Sequence, residues 1–297
     1  MTREQVAART RTKEWERVAR AVLDTGPTGV KRADQGLEIE HRRRRAALLG
    51  LLAHPGSVAT GLCALVLHGV QGAPAQLTPE VAMPTGAPRA RRPPVRLRRS
   101  PVDRWVDVGG FRCVDRALVE AVPQVGRRHA AALMDSALHR RLIDAERLDT
   151  TSRAAAGRRG MARTREWWPL ADGRSESPAE TWARLSCVEG GFPPDILQLQ
   201  VAGPGEQVFA RVDLAWRLPD GTALLVEIDG QEVHSAPRAL YRDRARQNRL
   251  ATSRTVVRRF TGTDAWHGRV GPEVATVLRG SGWRPHPLPP DAILHLA

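Results

Sequence analysis

The feature that most constrains the fold is an apolar stretch at residues 211–230 whose two arms carry three carboxylates, Asp213, Glu227 and Asp229. Its two halves are rich in Val, Ile, Leu and Trp, and a Pro-Asp-Gly sequence at 219–221 favours a turn between them. The pattern therefore predicts a β-hairpin. Because side chains alternate along a strand, Glu227 and Asp229 share one face, and pairing of the arms can place Asp213 across from them.

These carboxylates predict a site for a divalent cation. Negative charges on an apolar strand repel one another and are costly to bury unless a cation compensates them. Oxygen-only ligands favour Mg²⁺ or Mn²⁺ over Zn²⁺, so Asp213 and Glu227 are predicted metal ligands. The alternatives are that all three carboxylates are solvated charges on an edge strand, or that Asp229 and Gly230 simply form a turn.

The segments on either side of the hairpin predict the rest of an α/β domain. Upstream, residues 175–180 open a segment at 181–188 that has the apolar spacing of a helix. Downstream, residues 238–250 are typical of a basic helix, and residues 255–260 are rich in β-forming side chains. The predicted order is helix, strand, strand, strand, helix, strand.

This order resembles the core of the PD-(D/E)XK nucleases. More narrowly, it is similar to a bacterial family of unknown function that is related to very-short-patch repair endonucleases. The resemblance implies that residues 175–297 form a restriction-endonuclease-like core, a mixed sheet flanked by helices. It also implies hydrolysis of phosphodiester bonds in DNA with Mg²⁺ or Mn²⁺. The matching residues are Glu180, Asp213, the run 227–230, His234, the stretch 242–248 and the run 257–261.

The resemblance also implies roles for individual residues. Asp213 and Glu227 hold the metal, with the Ile228 carbonyl as a further ligand. Asp229 occupies the position at which the family motif carries lysine. Glu180 holds a second metal or its waters, and the alternative is that Glu180 is only an acid in the first helical turn, favoured there by the helix dipole.

Polar residues around the hairpin are candidates for contacts with nucleic acid. His234 follows the second strand and is predicted to orient a water molecule or contact a phosphate. Arg242 and Arg246 lie one helical turn apart and can clamp a phosphate, and Gln247 matches a polar position on that helix of the nucleases. Arg211 is a further predicted nucleic-acid contact. For the histidine, the helix arginines and the glutamine, the alternative is an ordinary solvated surface.

The charge of the chain favours a polyanionic partner. Among 297 residues, 46 Lys and Arg against 32 Asp and Glu leave a formal net charge of +14, which points to nucleic acid, with double-stranded DNA the expected form. Lys13 and Lys31 are the only lysines. Arginine binds phosphate bidentately, although heavy arginine use also accompanies GC-rich coding, so charge alone does not identify a DNA-binding protein.

The length of the chain suits two domains. Residues 1–149 are predicted to form a helix-rich α+β domain, and the small, polar, basic residues 150–174 a linker. Residues 57–142 resemble the region that precedes the nuclease-like domain in relatives, some of which share it with abortive-infection antitoxin-type proteins, but the first 45 residues match a winged helix poorly. The predicted N-terminal helices are 15–23, 39–53, 57–68, 116–122 and 127–142, with strands at 76–84 and 95–99 and a hairpin at 105–114.

Cysteines and apolar runs carry little signal. Cys63, Cys113 and Cys187 are isolated in sequence and are predicted to be buried thiols. No apolar run approaches the roughly 20 residues of a membrane span, so no membrane partner and a cytoplasmic location are expected.

Three classes of function therefore compete. The prediction is a metal-dependent DNA endonuclease. One alternative is a catalytically inactive nuclease fold that binds DNA as an antitoxin-like regulator, and the other is a protein-interaction module whose basic charge is compositional. The sequence makes no prediction of oligomeric state.

Overall fold

The computed structural model describes residues 2–12, 14–19, 22–25, 35–84, 93–99, 105–106, 111–112, 114–204, 207–229 and 237–296. The chain divides into two compact units. The first comprises Met1–Leu133 and Arg140–Trp168, and the second comprises Met134–His139 and Pro169–Ala297. Within the described residues, no helix has the length and apolar character that a membrane crossing requires.

The first unit combines helices with short strands. Its elements, with the helix α5 that continues into the second unit, are α1 (Arg3–Arg11), β1 (Glu16–Ala19), β2 (Val22–Asp24), α2 (Gln35–Ala53), β3 (Val58–Ala59), α3 (Gly61–Leu67), β4 (Glu80–Ala82), β5 (Arg96–Arg98), β6 (Trp105–Val106), β7 (Phe111–Arg112), α4 (Val114–Ala121), α5 (Arg127–His139), α6 (Ala145–Ala154) and α7 (Met161–Thr164). β1 and β2 form an antiparallel pair, and a mixed sheet has the order β5-β4-β3-β7-β6.

The predicted helix at 15–23 is wrong. β1 and β2 pair antiparallel there, with Arg17 opposite Leu23. The short segment contains β-branched valines that favour extended backbone, and Ala19 at the end of β1 packs into a cluster with Ala53 and Val81. Tertiary packing therefore overrides the helical spacing. The predicted helix at 57–68 also begins later than expected, because β3 precedes α3.

The segment at 150–174 contains helices, whereas a linker was predicted. It contains the end of α6, the short helix α7 and a 3₁₀ helix at Arg165–Leu170. The side chains of Met161 and Trp168 are buried, which gives this small and basic segment an apolar anchor. The division between the two units falls after Trp168, inside the predicted range.

The second unit is an α/β fold built on a mixed five-stranded sheet. Its elements are α8 (Pro178–Glu189), β8 (Ile196–Ala202), β9 (Val208–Arg217), β10 (Ala223–Asp229), α9 (Pro237–Leu250), β11 (Thr255–Thr261), α10 (Gly262–Trp266), α11 (Val270–Ser281) and β12 (Ile293–His295). The strand order is β11-β10-β9-β8-β12. β9 pairs antiparallel with β8 and β10, while β11 runs parallel to β10 and β12 parallel to β8. The elements α8 to β11 follow the predicted order.

Helices cover both faces of this sheet. On one face, Leu214, Trp216 and Leu224 pack with residues of α8, α10 and α11. On the other face, Leu225 packs with Leu250 at the end of α9. A strand that is buried on both faces has a nearly continuous run of apolar residues in its sequence, which explains the apolar character of the hairpin arms.

A buried carboxylate ties the C-terminal segment to this sheet. Asp195, next to the start of β8, accepts hydrogen bonds from the Arg217 backbone N–H at 2.9 Å and the Trp283 indole Nε1 at 3.0 Å. It also accepts one from the His286 backbone N–H at 2.9 Å. These hydrogen bonds fix the segment that follows α11 beside the start of β8, and further along the chain β12 pairs with β8.

The predicted burial of the cysteines is confirmed for two of them. Cys63 and Cys187 are buried free thiols, and burial raises the pKa of each to about 12. Both thiols are therefore protonated at neutral pH and poor nucleophiles. Cys113 lies outside the described residues.

Candidate active site

The predicted carboxylates meet where β9 and β10 stop pairing. The antiparallel ladder between the two strands ends at the pair Leu214 and Val226. Immediately beyond it, the Asp213 carboxylate accepts a hydrogen bond from the Ile228 backbone N–H, at 2.7 Å from Oδ2. The Asp213 carboxylate thus takes the place of a backbone acceptor for the Ile228 N–H. This hydrogen bond holds Asp213 in the gap between the two strands.

Glu180 on α8 reaches the same region. Its Oε2 accepts hydrogen bonds from the Glu176 backbone N–H and from the Gln198 amide Nε2, both at 2.8 Å. The same amide nitrogen lies 3.4 Å from Asp213 Oδ1. Glu180 therefore does stabilise the start of α8, as its position in the first turn predicts, and it is also joined through Gln198 to Asp213. Burial raises the pKa of Glu180.

Asp213 is the most perturbed carboxyl of the group. Burial is the largest cause, and the charge of Glu180 and then that of Glu227 add to it, so that the pKa of Asp213 rises to about 7. Hydrogen bonds from Ile228 and Gln198 oppose this rise. The three carboxyl groups thus share one electrostatic environment, as expected where negative charges lie close together in a partly buried site.

This pKa predicts how pH changes stability. The folded state holds the Asp213 proton more tightly than the unfolded state, whose pKa is near 3.8, so its contribution to stability falls as the pH rises from about 4 to about 7. Asp213→Asn carries no such proton. We expect this variant to melt at a higher temperature than the wild type at pH 8 in chelator, with a difference that shrinks towards pH 4. Equal differences at both pH values would contradict the raised pKa.

Glu227 lies buried on β10 between two arginines. Its Oε1 accepts a hydrogen bond from Arg246 Nη1 of α9 at 2.5 Å. Among the described residues its buried Oε2 has no hydrogen-bond partner, and Arg259 Nε lies 3.7 Å from it. Arg259 comes from the neighbouring strand, directly opposite Glu227 in the parallel ladder. One oxygen of a buried carboxylate thus retains its capacity to accept.

Asp229 is more exposed and pairs with the same arginine. Its Oδ1 lies 2.6 Å from Arg259 Nη2, and 46% of its side chain is accessible to solvent. Arg259 therefore touches both carboxylates of the Glu-Ile-Asp run. It was not among the predicted site residues, although it lies in the run 257–261 that matches the nuclease family. The parallel register that brings it beside Glu227 has no sequence signal.

The remaining predicted residues are placed as follows. Arg211 is exposed and pairs with Glu176, with Nη2 at 2.6 Å from Oε2. Gln247 is half-buried on α9. The Ile228 side chain packs in the core, so only its backbone can face a ligand. His234 and the side chain of Arg242 lie outside the described residues.

The donor chemistry of the site fits a hard divalent cation. Asp213 and Glu227 supply carboxylate oxygens, and within the described residues Oε2 of Glu227 accepts no hydrogen bond. Burial and then neighbouring negative charges raise the pKa of Asp213, and a cation beside it would favour its ionised form. Within the described part of the chain, no three His, Cys, Asp or Glu side chains converge into a group that could hold a metal. A cation here thus needs backbone oxygens or water besides these two side chains.

Comparison with known proteins gives distant relatives. Two curated Mycobacterium tuberculosis proteins, from strains CDC 1551 / Oshkosh and ATCC 25618 / H37Rv, are each 36% identical to this chain over 132 residues, and both are described as uncharacterized. The match covers 44% of this chain and 47% of each relative, so the chain spans about half the length of the curated relatives it matches. No protein-family model matches the chain. No solved structure matches it either.

Proposed function

We propose that the second unit is a metal-dependent phosphodiesterase of the PD-(D/E)XK type that cleaves DNA. The observation that carries the proposal is the junction of β9 and β10, where Asp213 is bonded to the Ile228 N–H beside the buried Glu227. Two carboxylates on neighbouring strands of a mixed sheet, with a third on the helix before it, match the residue types and the element order that the resemblance implies.

In this proposal the carboxylates hold Mg²⁺ or Mn²⁺. Asp213, Glu227 and the Ile228 carbonyl would be its ligands, and Glu180 would hold a second cation or its waters. When bound, such a cation lowers the pKa of a water molecule and neutralises charge that develops on the phosphate. The protein itself contributes fixed positions for the oxygens, because Asp213 is held by a backbone N–H and Glu180 by a helix terminus.

In this proposal Arg259 takes the place of the lysine of the family motif. Asp229 stands at the lysine position, but the guanidinium of Arg259 lies within 4 Å of both Glu227 and Asp229. Arginine stays protonated and is a poor general base, so its contribution is a positive charge for the phosphate rather than proton transfer. Arg246, bonded to Glu227, places a second guanidinium in the same region.

A second candidate function is DNA binding without cleavage. The observation in its favour is the same pair of arginines, because Glu227 is neutralised by Arg246 and Asp229 by Arg259 within the chain. A regulator of the antitoxin-like kind needs no cation at the site. The basic charge of the chain supports both candidates equally.

One assay separates the candidates. Purified protein is incubated with plasmid, single-stranded DNA and RNA in Mg²⁺, Mn²⁺, Ca²⁺ or chelator, and DNA affinity is measured in parallel from low to high salt. The nuclease proposal expects cleavage in Mg²⁺ or Mn²⁺ but not in Ca²⁺ or chelator. It also expects log affinity to fall linearly with log salt, by about 0.9 per duplex phosphate contacted. Salt-dependent binding without cleavage favours the regulator, and a flat salt response removes nucleic acid as the partner.

A further inference from the structure

Gln198 on β8 has a backbone conformation that is unusual for its residue type. Its φ is +57°, in the left-handed region that residues with a Cβ atom adopt at a cost of about 1 kcal/mol or more. The pairs Leu197 with Leu214 and Leu199 with Val212 flank it, so Gln198 lies opposite Asp213. The strained residue and the most perturbed carboxylate are therefore direct partners across two strands.

The side-chain alternation of both strands reverses at this pair. Leu197 and its partner Leu214 pack on the face covered by α8. Leu199 and its partner Val212 pack on the opposite face. Residues two apart in a regular strand share a face, so the alternation of side chains shifts by one residue in both strands at the pair of Gln198 and Asp213. Asp213 lies at that point, and its carboxylate accepts a hydrogen bond from the Ile228 N–H of the neighbouring strand β10.

The Gln198 side chain joins the carboxylates of two elements. Its Nε2 lies 2.8 Å from Glu180 Oε2 on α8 and 3.4 Å from Asp213 Oδ1 on β9. An amide nitrogen carries two N–H donors and no charge. It can therefore serve both carboxylates without adding a positive charge that would repel a cation, as an arginine or lysine in its place would do.

We propose that Gln198 is a positioning residue of the candidate site. Its left-handed backbone directs the Asp213 carboxylate to Ile228, and its amide holds the Asp213 and Glu180 carboxylates beside each other. The part of this inference that concerns cation binding rests on the proposed function. The part that concerns the geometry of Asp213 does not.

Two substitutions separate the backbone role from the side-chain role. Gln198→Gly removes the amide and tolerates positive φ, whereas Gln198→Val removes the amide and disfavours positive φ. Gln200→Gly and Gln200→Val are matched controls, because Gln200 is an exposed glutamine of the same strand, two residues away. The measurements are hydrogen exchange of the Ile228 amide, with the Val226 amide as internal reference, and Mn²⁺ affinity by calorimetry.

We expect Gln198→Gly to keep the Ile228 amide protected and to weaken Mn²⁺ binding about tenfold, which corresponds to about 1.4 kcal/mol. Gln198→Val should weaken Mn²⁺ binding further and speed exchange of Ile228 at least about tenfold relative to Val226, and both controls should behave as the wild type. Wild-type Mn²⁺ affinity in Gln198→Gly would overturn the amide role. Unchanged Ile228 exchange in a folded Gln198→Val would overturn the backbone role. If Gln198→Val does not fold, Gln198→Gly decides alone, and loss of Ile228 protection in it would overturn the backbone role. A wild type that binds no Mn²⁺ overturns the proposed function, while the exchange comparison still tests the geometry.

Discussion

Asp213→Asn and Glu227→Gln are each expected to lower metal-dependent cleavage of DNA by at least about 100-fold, the scale on which a major electrostatic contributor to a transition state is lost. Each substitution removes one negative charge and preserves the shape of the side chain. Asparagine also keeps an oxygen that can accept the Ile228 N–H, so the loss in the Asp213 variant reports on charge rather than on the folding of the strand junction.

The matched control for both variants is Asp220→Asn. Asp220 lies in the turn of the same hairpin, is exposed, and accepts a hydrogen bond from the Thr222 backbone N–H, a position where asparagine also fits. The control should cleave at the wild-type rate, and all three variants should keep wild-type affinity for DNA in chelator. If Asp213→Asn and Glu227→Gln cleave normally, the carboxylates are structural and the nuclease proposal fails.

Asp135→Ala is expected to destabilise the second unit by about 3–5 kcal/mol, the range observed when one partner of a buried ion pair is removed. Asp135 is 1% exposed and accepts hydrogen bonds from Thr181 Oγ1 and Arg184 Nη2, both at 2.8 Å, and from the Asp172 N–H at 2.7 Å. Alanine leaves the Arg184 guanidinium, whose side chain is 9% exposed, without its anionic partner.

Urea denaturation followed by tryptophan fluorescence measures this loss, since several tryptophans belong to the second unit. The control is Glu273→Ala, which removes an exposed acid from the first turn of α11 in the same unit and should change stability by less than about 1 kcal/mol. Burial raises the pKa of Asp135, although Arg184 opposes this shift. If Asp135→Ala loses no more stability than Glu273→Ala, the ion pair of Asp135 and Arg184 contributes little net stability, because its attraction only offsets the cost of burying the two charges.

Much of the candidate site could be predicted because strand periodicity and turn chemistry are local properties. The Pro-Asp-Gly turn and the apolar arms predicted the hairpin, and its antiparallel pairing ends at Leu214 and Val226, which leaves Asp213 beside the Glu227–Ile228 segment. Gln198 and Arg259 were missed for a different reason. A glutamine with positive φ has no compositional signal, and the position of Arg259 depends on a parallel pairing that forms only after α9 returns the chain to the sheet.

The predictions for residues 15–23 and 150–174 were wrong because few residues in each segment distinguish between the possible structures. Residues 15–23 contain too few apolar positions to distinguish a helix from two short strands, and packing of Ala19 against Val81 settles the choice. In the segment 150–174, small residues suggested a linker because they bury little area each. Two larger side chains, Met161 and Trp168, change that balance because both are buried.

The order of the strands in the sheet of the second unit also bears on aggregation of the protein in concentrated solution. The three-residue β12 is one edge strand of the sheet, and β11 is the other. An uncovered strand is a template for the strand of another molecule. Just before and along β11, Arg254 and Arg258 are exposed, so two such edges meeting would bring like charges together. These arginines thus disfavour pairing of one sheet edge with another, an effect that is independent of any ligand.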